Sequence, residues 1–120
     1  MNKKQKLARI TENWKKYCVP GMPPFTKRKK NAVFVSPANS KEHEIAKLLV
    51  CLELRRRKHD FVTEALKKSS GARVDVVDLV TGYEYEIETT KRRAKRFEGT
   101  EVIVVKLWED KDVEDYVEDC

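Results

Sequence analysis

Residues 73–91 read RVDVVDLVTGYEYEIETTK, and this stretch decides the fold class. Two runs rich in β-branched and aromatic residues, 73–80 and 83–89, flank Thr81-Gly82. Such residues favour extended chain, and a two-residue link ending in Gly suits a tight hairpin turn. The reading is two adjacent antiparallel strands. Asp75 lies between Val74 and Val76, and strand alternation groups it with Val77 and Leu79 on one face. Asp78 falls nearer the turn, on the opposite face, and reads as solvated. Glu84, Glu86 and Glu88 share one face of the second strand. Three like charges at two-residue steps repel, so the row must face solvent or meet a cation. Hairpin pairing brings Asp75 near the Glu86–Glu88 end of its partner.

Working outward, Phe61–Leu66 is a third strand candidate, and Glu101–Trp108 (EVIVVKLW) reads as a largely buried strand. Residues 40–58 form the strongest helix. Ser40 caps it, and Glu42 and Glu44 sit in the first turn, where the helix dipole favours anions. Ile45, Leu48, Leu49 and Leu52 make its apolar stripe, and Arg55–Lys58 close it. Glu42 precedes Ile45 and Leu49 by three and seven residues, which turns it toward the sheet. Lys91–Phe97 reads as a short helix capped by Thr90, and Asp110–Asp119 as a weak acidic one. Asn31–Val35 is a short strand or extended chain. Residues 3–17 read as helical, with Leu7, Ile10, Trp14 and Tyr17 at three- and four-residue steps. Pro20-Gly21-Met22-Pro23-Pro24 then breaks the chain. The division is 1–39, a basic N-terminal helix and Pro-rich loop, and 40–120, an α-β-β-β-α-β core with an acidic C-terminal helix. The fold class is α/β, a mixed sheet flanked by helices.

The chain has 120 residues, enough for one domain. Hydrophobic residues are 40% and charged residues 38%, so a wholly disordered chain is excluded despite the charge. No apolar run spans a membrane, and the N-terminus lacks the apolar segment of a secretory signal. Cys18, Cys51 and Cys120 are scattered, against both a disulfide scaffold and a zinc cage. An intracellular, reducing compartment is expected. The net charge of +6 is sorted along the chain. Residues 1–30 carry ten Lys/Arg against one acid, and residues 99–120 carry two against eight acids. A basic head suits a polyanion, and nucleic acid is the expected partner. Lys27, Arg28, Lys29, Lys30, Arg73, Arg92, Arg93 and Arg96 are candidate phosphate contacts. Trp14 and Tyr17 are candidates for stacking on bases or for packing.

Two carboxylates from adjacent strands plus a lysine suit metal-dependent hydrolysis, with Mg²⁺ or Mn²⁺ as the hard cation. The string Glu42-x-Glu44-Ile45-x-Lys47-Leu48-Leu49, followed by Asp75-Val-Val and Gly82-x4-Ile87-Glu88 with Lys91 beyond, resembles the PD-(D/E)xK nuclease superfamily. The likeness is to the archaeal Holliday junction resolvases and their viral and plasmid relatives, and covers roughly residues 40–108. It implies a restriction-endonuclease-like fold. It further implies a dimeric Mg²⁺-dependent DNA endonuclease in which Glu42, Asp75, Glu88 and Lys91 are catalytic. By that likeness Asp75 and Glu88 hold the metal, with Glu86 as the alternative ligand. The pattern's lysine falls at position 90, which is Thr90 here. Two registers follow. In one, Glu88 is the ligand and Lys91 the lysine. In the other, Glu86 is the ligand and Glu88 stands in for the lysine. A DNA-binding protein that keeps the fold without the chemistry is the alternative, and a protein-interaction module using the acidic tail is the third.

Overall fold

A computed structural model describes residues 1–18 and 29–118. The proline-rich stretch, Lys27, Arg28 and Cys120 lie outside the described residues. The element order is α1 (Lys3–Trp14), β1 (Tyr17–Cys18), α2 (Lys41–Arg56), β2 (Phe61–Lys67), β3 (Arg73–Asp78), β4 (Glu84–Glu88), α3 (Lys91–Ala94) and β5 (Ile103–Lys106). Two 3₁₀ turns follow α3 and β5, at Lys95–Phe97 and Val113–Tyr116. The strands form one mixed sheet in the order β1-β2-β3-β4-β5, antiparallel except for the parallel pair β4–β5. α3 and its 3₁₀ extension make the crossover that a parallel pair requires.

The sheet is covered on both faces. On one, Ala46, Val50, Cys51 and Leu54 of α2 pack with Phe61, Val76, Tyr85, Ile87 and Val105, joined by Tyr116 and Val117. On the other, Ile10 and Trp14 of α1 pack with Tyr17, Val62, Val74, Val77 and Leu79. Residues 1–18 therefore add a helix and a strand to the same body as the core.

Local chemistry fixes the ends. Asn2 and Gln5 form a reciprocal capping box at α1, Ser40 Oγ accepts from His43 N at 3.1 Å, and Thr90 caps α3. The β3–β4 turn is set by Asp78, whose Oδ1 accepts from Val80 N at 2.9 Å and Thr81 N at 3.3 Å. Gly82 closes it at φ +82°, and a Cβ there would lie 3.2 Å from Asn13 Oδ1.

Several expectations need correction. The Ile45/Leu48/Leu49/Leu52 stripe is exposed, and α2 meets the sheet through the opposite face. Glu42 turns outward with that stripe. Tyr17 leaves the helix because it pairs with Lys67 across the sheet. Of the two alternatives for residues 31–35, the strand does not form. Within Glu101–Trp108 only Ile103–Lys106 is strand, and of these only Val105 is buried, because β5 is a sheet edge. The acidic C-terminal segment makes a 3₁₀ turn rather than an α-helix, since few of its side chains find a core to pack against. Asp78 is fully buried, not solvated.

Candidate active site

The site begins as a fault in the sheet. β2 and β3 pair in one continuous register, from Phe61↔Asp78 to Leu66↔Arg73, with a single gap where Glu64 would face Asp75. Glu64 has φ 49°, a left-handed conformation that costs a side-chain-bearing residue roughly 1–3 kcal/mol. Val74 and Val77 both join the α1-side core, whereas Val76 joins the α2-side core. Strict alternation is therefore broken at Asp75, which does not share the face of Val77 and Leu79. β3 and β4 pair at Val77↔Glu84 and Val76↔Tyr85, and the same register sets Glu86 beside Asp75. There the two strands part. Ile87 N donates to Asp75 Oδ2 at 2.9 Å, while β4 continues in parallel pairing with β5.

α2 supplies the wall of this fork. His43 Nε2 lies 3.2 Å from Asp75 Oδ2, and Nδ1 lies 2.9 Å from Glu44 Oε1. Glu44 accepts from Ser36 N and Asn39 Nδ2, both at 3.0 Å, and pairs with Lys47 Nζ at 2.6 Å. Lys47 is fully buried, and also donates to Glu64 Oε1 at 2.8 Å and Phe34 O at 2.6 Å. Arg73 Nε stands 4.0 Å from Glu64 Oε2. Charges thus alternate through Asp75, His43, Glu44, Lys47 and Glu64, which is how buried charge is tolerated.

Protonation follows from these contacts. Burial pulls the His43 imidazole down, but Asp75 and then Glu44 outweigh it and raise its pKa. Burial pushes Glu44 up, but Lys47 and the Ser36 and Asn39 donors overcome it and hold the carboxyl at about 2. Burial acts the same way on Asp75, and His43 and Ile87 N outweigh it, so its pKa is lowered. Glu86 goes the other way, pushed up to about 9 by burial and then by the Asp75 charge. Of the three β4 glutamates, Glu84 meets Tyr17 Oη at 2.6 Å and Lys67 at 3.3 Å, and Glu88 meets Arg96 at 3.0 Å. Glu86 instead meets another acid.

The acid pair opens into a cleft of about 240 Å³ that also takes in His43, Glu64, Glu88 and the rim residues Arg73, Arg93 and Arg96. Six residues expected from sequence are brought together here: Asp75, Glu86, Glu88, Arg73, Arg93 and Arg96. Glu42 is exposed outside the cleft, and its neighbour His43 occupies the helix position next to Asp75. Lys91 is exposed and lines a separate groove of about 780 Å³ beside β5. That groove is larger, but it holds no acid pair buried together. Arg92 is exposed away from the cleft, as is Lys29. Lys30 is engaged with Asp60 at 3.3 Å and with the Trp14 ring at 5.0 Å. His43, Glu44, Lys47 and Glu64 are not among the site residues expected from sequence. Glu64 carries the signal that picks out Asp75, an acid inside an apolar strand.

The donor chemistry fits a hard divalent cation. Mg²⁺ takes one or two protein carboxylates and completes its shell with water and phosphate oxygens, and Asp75 and Glu86 supply two. Among the described residues no cluster of three or more His, Cys, Asp and Glu forms a ready-made cage. Also among them, no helix is long and apolar enough to cross a membrane. No family model matches this sequence, and neither a curated protein nor a solved structure matches it.

Proposed function

We propose that this chain is a metal-dependent DNA endonuclease that hydrolyses phosphodiester bonds, on a restriction-endonuclease-like sheet of the junction-resolvase kind. One observation carries the reading. Asp75 and Glu86, buried side by side where β3 and β4 part, form a carboxyl pair that holds one proton between them, a proton that a bound cation would replace, beneath a rim of three arginines. Asp75 and Glu86 would hold Mg²⁺ or Mn²⁺, which when bound lowers the pKa of water and offsets charge developing on phosphate. His43 keeps Asp75 oriented. Arg73 and Arg93 face the cleft as phosphate contacts, and Arg96 is shared between that role and Glu88. The basic N-terminal third supplies the sequence-independent affinity for the backbone. Of the two registers open in the sequence, this one makes Glu86 the ligand and puts Glu88 where the pattern has its lysine.

A second reading has its own support. Lys91 lies outside the cleft, Lys47 is sealed behind Glu44 and Glu64, and Glu88 is tied to Arg96. A DNA-binding protein that has lost the chemistry would look the same. The experiment is cleavage of labelled duplex, nicked, flapped, single-stranded and four-way-junction DNA with Mg²⁺ and with Mn²⁺. Asp75→Ala and Glu86→Gln are run alongside. Cutting by the wild type that both variants lose, with binding retained, supports the nuclease. Salt-sensitive binding without cutting in either metal supports the second reading, and no binding at all defeats both.

A further inference from the structure

Between Ile45 and Leu52, α2 is apolar on both faces save for Lys47. Its inner face buries Ala46, Val50, Cys51 and Leu54 against the sheet. Its outer face exposes Ile45 at 47%, Leu48 at 42%, Leu49 at 38% and Leu52 at 56%. Among the described residues seven large apolar side chains are exposed, and these four sit together at i, i+3, i+4 and i+7. A helix apolar on both sides belongs in an interior, and one sheet covers only one side of it. The stripe exposes roughly 300–400 Å², the size of patch that marks an interaction site on a monomer.

We propose that this face docks on the same face of a second copy of the chain, with the two α2 helices antiparallel about a two-fold axis. Charge selects both the occupant and the direction. The stripe ends in Glu42 toward the helix N-terminus and in Arg55 and Arg56 toward its C-terminus. A parallel pair would bring four arginines together and set Glu42 against its own copy. An antiparallel pair centred between Leu48 and Leu49 sets Ile45 opposite the second copy's Leu52, and Glu42 opposite its Arg55. Arg55 holds Asp60 at 2.9 Å through one nitrogen and has donors to spare. The helix dipoles also oppose favourably. Two such faces with their charged flanks reach only the lower end of specific interfaces, so the dimer is reversible in the micromolar range, roughly. A dimer is also what the nuclease resemblance implies; the inference adds its face and direction, and its test needs neither DNA nor metal.

Sedimentation velocity of the metal-free protein across a concentration series reads the association directly. Wild type shifts from monomer to dimer. Leu49→Glu, which places two carboxylates at the axis on an exposed position, raises the dimer dissociation constant about tenfold or more. Circular dichroism confirms that the variant is folded. Direction is read by oxidation in a Cys120→Ser background. Ile45→Cys together with Leu52→Cys yields a covalent dimer, whereas either alone does not. The two sulfurs cannot close within one chain, because seven helical residues separate their Cα atoms by about 10 Å. A wild type that stays monomeric at hundreds of micromolar overturns the proposal, as does a Leu49→Glu protein that dimerises like wild type. Cross-linking by the single cysteines overturns the antiparallel arrangement.

Discussion

Asp75 and Asp78 lie three residues apart on β3, both buried, and they do different things. Asp78 is fully matched. His59 Nδ1 approaches its Oδ2 at 2.8 Å, and the turn amides of Val80 and Thr81 occupy its Oδ1. Asp75 has His43 and Ile87 N on one oxygen, and a second carboxyl beside it. Burial is common to both, so burial does not separate structure from chemistry. The separation lies in what the neighbours are: Asp78 meets an imidazole and backbone amides, whereas Asp75 meets a second acid that stays beside it only by keeping a proton of its own. On the proposed function, the sharpest break in this comparison is functional. Asp75→Asn, which keeps a group for Ile87 N, should lower metal-dependent cleavage by about 10³-fold or more while the protein still unfolds cooperatively. Asp78→Ala should leave the folded fraction active but cost about 2–4 kcal/mol, because a histidine and two turn amides lose their acceptor. Denaturant melts paired with single-turnover cleavage check both arms, and the contrast fails if the two variants behave alike.

The next effect concerns what surrounds Asp75. Lys47→Met strands Glu44 and Glu64 in a buried position, and should cost about 3–5 kcal/mol. The pH dependence carries the signature. Glu44 sits at about 2 in the folded protein against 4.5 ordinarily, so its contribution is present above pH 4.5 and is lost as pH falls toward 2. In Lys47→Met that acid-side loss should flatten, since the largest favourable contact holding Glu44 down is gone. An unchanged acid limb in the melting temperature would remove Lys47 from the network.

Opposite in sign is Glu86. Its folded pKa of about 9 exceeds the ordinary 4.5, so the folded state holds a proton that the unfolded chain releases. Stability of the metal-free protein must therefore fall as pH rises from about 4.5 toward 9. His43, also raised, adds to the fall as pH rises from its ordinary 6.5 through its folded value. Glu86→Gln should remove most of the slope and raise the melting temperature at pH 8 by about 5 °C. It should lose cleavage at the same time. Mg²⁺ should stabilise wild type at that pH and leave Glu86→Gln and Asp75→Asn unmoved. A Glu86→Gln protein melting below wild type at pH 8 would mean that Glu86 is ionised in the folded protein and held there by a donor that Gln cannot satisfy.

These contrasts explain what could be read from the sequence. Local signals were reliable where local chemistry decides. Ser40 and Thr90 announced their helices, and Thr81-Gly82 announced its turn. The α-β-β-β-α-β order followed from patterns a few residues long. α2 defeated the same reasoning because both of its faces are apolar. Periodicity favours the stripe with three leucines over the face bearing Lys47, and that lysine becomes a core residue only when Glu64, seventeen positions on, arrives beside it. The orientation of Glu42 failed with it. Asp75 and Glu86 were legible as acids in apolar strands, but their adjacency depends on the strands parting at Glu64 and Asp75, which alternation assumes away.

The smallest expected effects test the residues that this geometry leaves aside. Glu42 and Lys91 are both exposed, and neither lines the cleft. If the acid pair and the arginine rim carry the reaction, Glu42→Gln and Lys91→Ala should change single-turnover cleavage by no more than about twofold and stability by less than about 0.5 kcal/mol. Arg93→Ala, at the rim of the cleft, is the internal control and should weaken DNA binding measurably. Glu42 also faces Arg55 in the proposed dimer, so the assay belongs at concentrations where wild type and variant are both mostly monomeric. A loss of about 10²-fold or more in Lys91→Ala would require the end of β4 to rearrange when DNA binds, carrying α3 toward the acid pair. That result would restore the register with Glu88 as ligand, and Glu86 would then be the carboxyl that stands aside.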